Sequence, residues 1–402
     1  MRALDGIRVL DLTTWAFCPA AGPILASWGA DVIHIENPAA PDPMRLFDGG
    51  STDRGRANWM FKHYNRGKRA IAVNLATDEG RRIIYRLAER ADVFLTSYLP
   101  ATRRRLGVDI DHIRAGNPRI IYAKGTGMAP RGPEAERGGY DSASWWARGC
   151  LASTAMAVTG IDWPSGMVGH GDGMSGLVFA GGICAALLQR ERTGVASVVD
   201  ASLLGTAMWF NAPAIISSTF PTGRQAFYSR PARHQIHWTG NTYRTRDGRF
   251  LALQLLGDDD RDWADLCAHL GRPDLVSDPR FATAADRARH SAELVGILDE
   301  IFATKTLAHW RTILVTLRGV WAPVQTPREL HDDPQVVANG FIQDVDYPDG
   351  PLPLVVPPIL FDEDAGRPER APEFAEHTTD VLLETGYSSA EIARYRDAGV
   401  IM

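Results

Sequence analysis

The sequence predicts an α/β fold: a large domain built on a parallel sheet, with a smaller α+β domain set into the chain. Two observations carry this. Strand and helix patterns alternate over residues 6–124 in two strand–helix–strand units, and parallel neighbours need such crossovers. The alternation stops after Phe220, and strand character returns near Gly319. The expected division is residues 1–220 as the first part of the large domain, 221–318 as the small domain, and 319–402 as a segment returning to the large one.

The elements follow in order. Residues 6–13 form a first strand, 20–28 a helix and 30–36 a second strand, which Asn37 and Pro38 close. Residues 38–59 lack periodicity and are expected to form a long loop. A basic turn over 63–69 feeds a strand at 70–74. Thr77 starts a helix that runs to about Arg90, with Asp78 and Glu79 in its first turn. A strand at 92–98 precedes the basic run Arg103, Arg104, Arg105. A short helix and a strand at 119–124 complete the second unit. Residues 125–139 form a loop. Helices over 140–157 and 203–217 flank a strand at 196–200. Beyond Phe220, residues 241–254 form a hairpin turning at Asp247–Gly248. Helices follow at 260–270, 285–303 and 307–317, then a strand at 319–325. The last helices lie near 378–384 and 388–398, the latter opened by a capping box of Ser388 and Glu391. The large domain is thus expected to be Rossmann-like.

At 402 residues and 45% hydrophobic content, the chain reads as an ordinary globular protein, long enough for two domains or one large one with an insertion. A net charge of −5 argues against a nucleic-acid partner. The longest apolar run is too short to span a bilayer and no signal peptide is visible, so no membrane partner is expected. Cys18, Cys150, Cys184 and Cys267 are scattered, which points to a reducing cytoplasm and no structural zinc.

The chemistry concentrates in residues 166–176, where five glycines surround Asp172. A long apolar run follows and ends in Arg190, Glu191, Arg192 and Gly194, the pattern of a buried helix. Three readings compete. Asp172 is a helix N-cap. Or Gly171, Gly173 and Gly176 spell the dinucleotide fingerprint, although the strand it requires is poorly supplied by residues 163–170. Or Asp172 is a carboxylate nucleophile, with glycines leaving room for a substrate and a helix N-terminus favouring its ionised form. Local reasoning leaves the first and third open.

The two basic clusters, residues 63–69 and 103–105, are either solvated surface or a phosphate cradle at strand ends. His234 and His237 have no third ligand nearby, and His170 alone in a glycine turn is weak ground for a metal. No metal is therefore expected. Neither is a G-x-S-x-G elbow present.

Taken together these segments resemble the class III CoA-transferase family, which includes formyl-CoA:oxalate and carnitine CoA-transferases and shares its fold with α-methylacyl-CoA racemases. The resemblance rests on residues 4–12, 29–36, 65–69, 105–107, 139–141, 171–172, 186–194, 333–336 and 376–378. It implies that Asp172 is the nucleophile of an acyl-CoA:carboxylate CoA-transferase, working through an aspartyl anhydride and an aspartyl-CoA thioester. Acyl-CoA and a carboxylic acid would be the substrates, with coenzyme A as co-substrate and no permanently bound cofactor. CoA contacts are implied for Asn65, Gly67, Lys68, Arg69, Ser97, Tyr98, Arg105, Leu106 and Arg137. An interlocked homodimer is implied as well. Asp141 and Tyr140 are supporting candidates, and the backbone N–H near Gly173 is a candidate oxyanion donor. Residues 15–20 depart from the family's Ala-Gly-Pro, and the stretch at 257–260 is acidic where formyl-CoA transferase has a glycine-rich loop. The racemases resemble Gly-His-Asp where this chain has Gly139, Tyr140 and Asp141. A tyrosine phenol is a poor base at neutral pH, which favours the transferase. A CoA-binding protein without turnover is the non-enzymatic alternative.

Overall fold

Val9, Leu10 and Leu12 are all buried, so β1 (Arg8–Leu12) presents no wet face and sits centrally in its sheet. The structure, a computed structural model, describes residues 2–47, 58–162, 166–221, 232–233, 236–255 and 260–402. β1 joins β2 (Asp31–Glu36), β3 (Arg69–Ala72), β4 (Val93–Thr96), β5 (Ile121–Thr126) and β6 (Val198–Ser202) in a parallel sheet. The strand order is β3-β2-β1-β4-β5-β6, the Rossmann-like arrangement. The order reverses between β1 and β4. Loops leaving those two strands diverge there and open a crevice at the carboxyl ends.

Helices cover both faces. One core lies against α3 (Asp78–Ala88), α5 (Ile110–Gly116) and the two C-terminal helices, Thr378–Glu384 and Ser389–Asp397. The other lies against α1 (Ala21–Ser27) and α7 (His170–Thr193). Between these run α2 (Trp59–Asn65), α4 (Pro100–Leu106) and α6 (Leu151–Thr159), while α8 (Leu203–Phe210) and α9 (Ala212–Ser217) follow β6. A Cβ on Gly176 would lie 2.4 Å from the Ala20 Cβ, so that glycine lets α7 approach the start of α1. By length and composition α7 could cross a membrane, yet Phe179, Ala180 and Ile183 on it are buried against the sheet.

The chain divides into two units, residues Met1–Tyr228 with Gln335–Met402, and Ser229–Pro334. The second holds an antiparallel sheet of β7 (Gly240–Arg244), β8 (Phe250–Gln254) and β9 (Val320–Pro323). Trp238, Trp263 and Phe302 are at the heart of its core. The return to the large unit thus lies at residue 335 rather than 319. The strand expected at 319–325 exists, but Val320 pairs with Gln254 and Pro323 with Leu251.

Several helices are shorter than periodicity suggests. The one expected over 140–157 is a wide π-turn, Asp141–Ala147, then α6, with Cys150 between them at φ 60°. Asn211 separates α8 from α9, with Pro213 in the first turn of the latter. His290 likewise divides Ala284–Arg289 from Ser291–Phe302. The third, Leu307–Ile313, gives way to a 3-10 turn at Leu314. Conversely, α2 replaces part of the expected loop and basic turn, because Met60, Phe61 and Tyr64 bury one face of it.

The basic turn itself is structural. Asn65 and Lys68, expected to touch CoA, are buried. The Lys68 ammonium donates to Asp11 Oδ2 (2.7 Å), Asn65 Oδ1 (2.7 Å) and the Pro19 carbonyl (2.9 Å), which uses all three of its donors. Burial alone would raise the Asp11 carboxyl, but Lys68 beside it, with His34, holds it well below the usual range. Lys68→Met should strand Asp11 as an unpaired buried charge and lower stability by about 3 kcal/mol, read by urea unfolding, and Asp11→Asn in the same chain should restore part of it. Unchanged stability with weaker CoA binding would instead return Lys68 to the ligand.

Candidate active site

The carboxyl ends of β1, β4 and β5 surround a cavity of about 530 Å³. Thr14 to Cys18 come from the loop after β1, Ser97 and Leu99 from the loop after β4, and Gly125 to Gly127 from the end of β5. The N-terminus of α7 supplies Asp172.

Glycine decides how α7 begins. Gly169 takes φ 75° at the N-cap, and the helix starts at His170. Asp172 therefore lies within the first turn and is not the cap. The capping carboxylate comes from elsewhere in the chain: the Gly169 N–H donates to Asp141 Oδ2 and the Gly171 N–H to Asp141 Oδ1, both at 3.0 Å. Only glycine fits at 171, where a Cβ would stand 2.3 Å from both Asp141 Oδ1 and the Trp145 ring. The fingerprint reading fails here as well. All three of its glycines are inside α7, and a turn rather than a strand precedes them. Residues 163–165 of that stretch, His234 of the histidine pair, and 257–259 of the acidic stretch lie outside the described residues.

With its capping role taken, the Asp172 carboxylate accepts no hydrogen bond from a described residue. Burial pushes its pKa up to about 7, and the charge of Asp141 adds to the rise. Asp141 is itself raised by burial, against which the two backbone N–H groups work. The Gly173 N–H is not free to hold an oxyanion, since it donates to the Gly169 carbonyl at 2.9 Å. Among the described residues the N–H of Asp172 itself has no partner, one of the orphans every helix N-terminus leaves.

Tyr64 was not among the sequence candidates. Its hydroxyl donates to the Gly169 carbonyl at 3.1 Å, and burial, then Asp172 and Asp141, keep its phenol protonated far above neutral pH. The missed signal was the amphipathic turn of α2. Cys18 lines the cavity too, but burial, with Asp11 and Asp172, pushes its thiol well up, so it stays neutral. Tyr140 is exposed and meets the Trp15 ring edge-on, centroids 5.6 Å apart.

The remaining sequence candidates are dispersed. Tyr98, Arg105 and Leu106 line a second cavity of about 230 Å³, beside Asn37, Val73 and Ala76. Arg105 is exposed and makes no ion pair among the described residues. Gly67 and Arg69 line a third, where Arg69 is paired with Asp31 and Glu384, each at 2.7 Å. Arg137 is exposed and bonded to Glu134 at 3.1 Å. Among the described residues no three or more histidines, cysteines or acids are grouped to hold a metal.

Known proteins share this architecture. The chain is 29% identical to (R)-2-hydroxy-4-methylpentanoate CoA-transferase of Clostridioides difficile, over 99% of both chains. It is 31% identical to succinyl-CoA:mesaconate CoA-transferase of Haloarcula marismortui, over 96% of this chain and 97% of that one. A solved CAIB/BAIF family protein from Brucella suis superposes with a TM-score of 0.79 at 28% identity, covering 96% of this chain and 99% of the other. Residues 4–378 match the family described as CoA-transferase family III. A match of that extent, on a sheet whose switch point carries an unpaired carboxylate, means that this protein belongs to CoA-transferase family III.

Proposed function

We propose that the protein moves CoA from an acyl-CoA thioester to a free carboxylic acid, with Asp172 as the nucleophile. The observation that carries this is the Asp172 carboxylate, unpaired in the first turn of α7 and lining a largely apolar cavity. The ionised oxygen attacks the thioester carbonyl, and CoA thiolate leaves, which makes a mixed anhydride on Asp172. The thiolate attacks the aspartyl carbonyl and expels the donor acid, which makes an aspartyl-CoA thioester. The acceptor carboxylate attacks that thioester and frees the thiolate again. Finally the thiolate takes the acceptor acyl group and Asp172 is regenerated. No proton is gained or lost over the cycle. The free N–H of Asp172 is placed to stabilise the oxyanion on its own carbonyl, together with the positive end of α7. Flanking glycines keep the approach open.

CoA would enter along the switch point, with its thiol end in the larger cavity and its nucleotide end in the smaller one. There the unpaired Arg105 is available to a phosphate, beside Tyr98 and Leu106. We also propose a homodimer, in keeping with the exposed apolar residues Met174, Val178, Leu188, Met208, Trp209 and Ile216 on α7 to α9. The racemase alternative gains no support from Tyr140, which offers a phenol where a proton-abstracting imidazole would be wanted.

The test is CoA exchange between acyl-CoA donors and free acids, followed by mass, with hydroxylamine added to trap the activated acyl on Asp172. The trapped peptide should contain Asp172. Because the ionised form attacks, kcat/KM should rise with pH and level off above about 7. Exchange with no adduct on Asp172, or loss of the α-proton without exchange, would overturn the mechanism.

A further inference from the structure

The cavity's lining says which acids it can take. Trp15, Phe17, Met44, Phe47, Met60 and Tyr140 make its wall. Among its described lining residues the carboxylic acids are Asp141 and Asp172, and there is no lysine, arginine or histidine. The aromatic wall is held in place at the expense of backbone strain. Trp15 adopts φ 69°, a left-handed conformation unfavourable for a bulky side chain. Its N–H is fixed by Asp42 Oδ1 at 3.1 Å, and the same oxygen accepts the Met44 N–H at 2.9 Å. One buried carboxylate thus anchors two loops that face the acyl group.

We infer that the acyl donors and acceptors are apolar monocarboxylic acids, alkyl or aryl, and that dicarboxylic acids are excluded. This rests on the proposed transferase reading. The reacting carboxyl group is consumed in the thioester or meets the helix N-terminus. A second carboxylate at the far end of the chain would lie against aromatic and thioether surface. Among the described lining residues it would find no cation, and it would share the site with two acids. A buried charge without a partner is strongly disfavoured, whereas an alkyl or phenyl terminus gains by the same burial.

Pentanoyl-CoA and glutaryl-CoA make the matched pair, because they differ only in the terminal carboxylate. Their analogues with CH2 in place of the thioester sulfur cannot release thiolate, so they bind the unaltered enzyme without turnover. The pentanoyl analogue should bind about 100-fold more tightly than the glutaryl analogue by calorimetry. In exchange assays kcat/KM should follow the same order, with 3-phenylpropanoyl-CoA on the favoured side. Phe47→Arg, at an exposed wall position, supplies the missing cation and should narrow the ratio about tenfold. Equal or tighter binding of the glutaryl analogue would overturn the inference, and so would a ratio that Phe47→Arg leaves unmoved. If exchange runs but favours glutaryl-CoA, this inference fails alone. If the analogues bind in the stated order but no exchange occurs, the transferase reading fails alone.

Discussion

Asp172→Asn is expected to abolish CoA exchange and, at the same time, to stabilise the protein above neutral pH. The loss should reach about 10⁴-fold or more, since an amide cannot form the anhydride and removal of a nucleophile is rarely compensated. The gain in stability follows from the raised carboxyl. Asp172 is pushed up to about 7 by burial and then by Asp141, from an ordinary value of 3.8. Between those values the native state binds a proton that the unfolded chain has released. Wild-type stability therefore falls as pH rises from about 4 to 7, and the deficit remains above 7. Asparagine removes it. Unfolding at pH 8 should show the variant more stable by something on the order of 2 kcal/mol, with the difference vanishing near pH 4. A variant that loses activity but shows no pH-dependent gain would mean that Asp172 is not held in a disfavoured charge state. Such a trade of stability for reactivity is what a catalytic carboxylate needs.

Asp141→Ala should lower kcat by about 10²–10³-fold with a smaller change in KM. In the proposed mechanism Asp141 serves as a positioning residue: its two oxygens accept the N–H groups of Gly169 and Gly171, and these bracket the turn that carries Asp172. Freeing that turn by even an ångström forfeits alignment of the attacking oxygen. Asp141→Asn keeps one acceptor and should retain part of the activity. The pH profile separates this role from a purely structural one. Asp141 is the second cause of the raised Asp172 pKa, so either substitution should move the acid limb of kcat/KM to lower pH. An unmoved limb would show that Asp141 does no more than hold the fold.

Much of this could be read from the amino acids alone. Periodicity located all six strands of the large sheet, the long α7 and the Asp247–Gly248 hairpin, because these depend on which side chains lie on one face and on turn chemistry. The glycines around Asp172 marked a place of close packing, since close approach needs residues without a Cβ, as Gly171 and Gly176 show. What sequence pattern could not say was which partner each group would meet. Lys68 and Arg105 are both basic residues near strand ends, yet one is buried on Asp11 and the other is exposed at a cavity. Asp172 and Asp141 are both acids near a helix start, and only the fold decides that Asp141 caps α7, which leaves Asp172 unpaired. β9 reads as a strand, but its pairing with β8 placed it in the smaller unit. Local conformation follows from neighbours along the chain. The strand order, the switch point and the charge state of Asp172 depend on groups brought together from distant segments, and only tertiary structure supplies those.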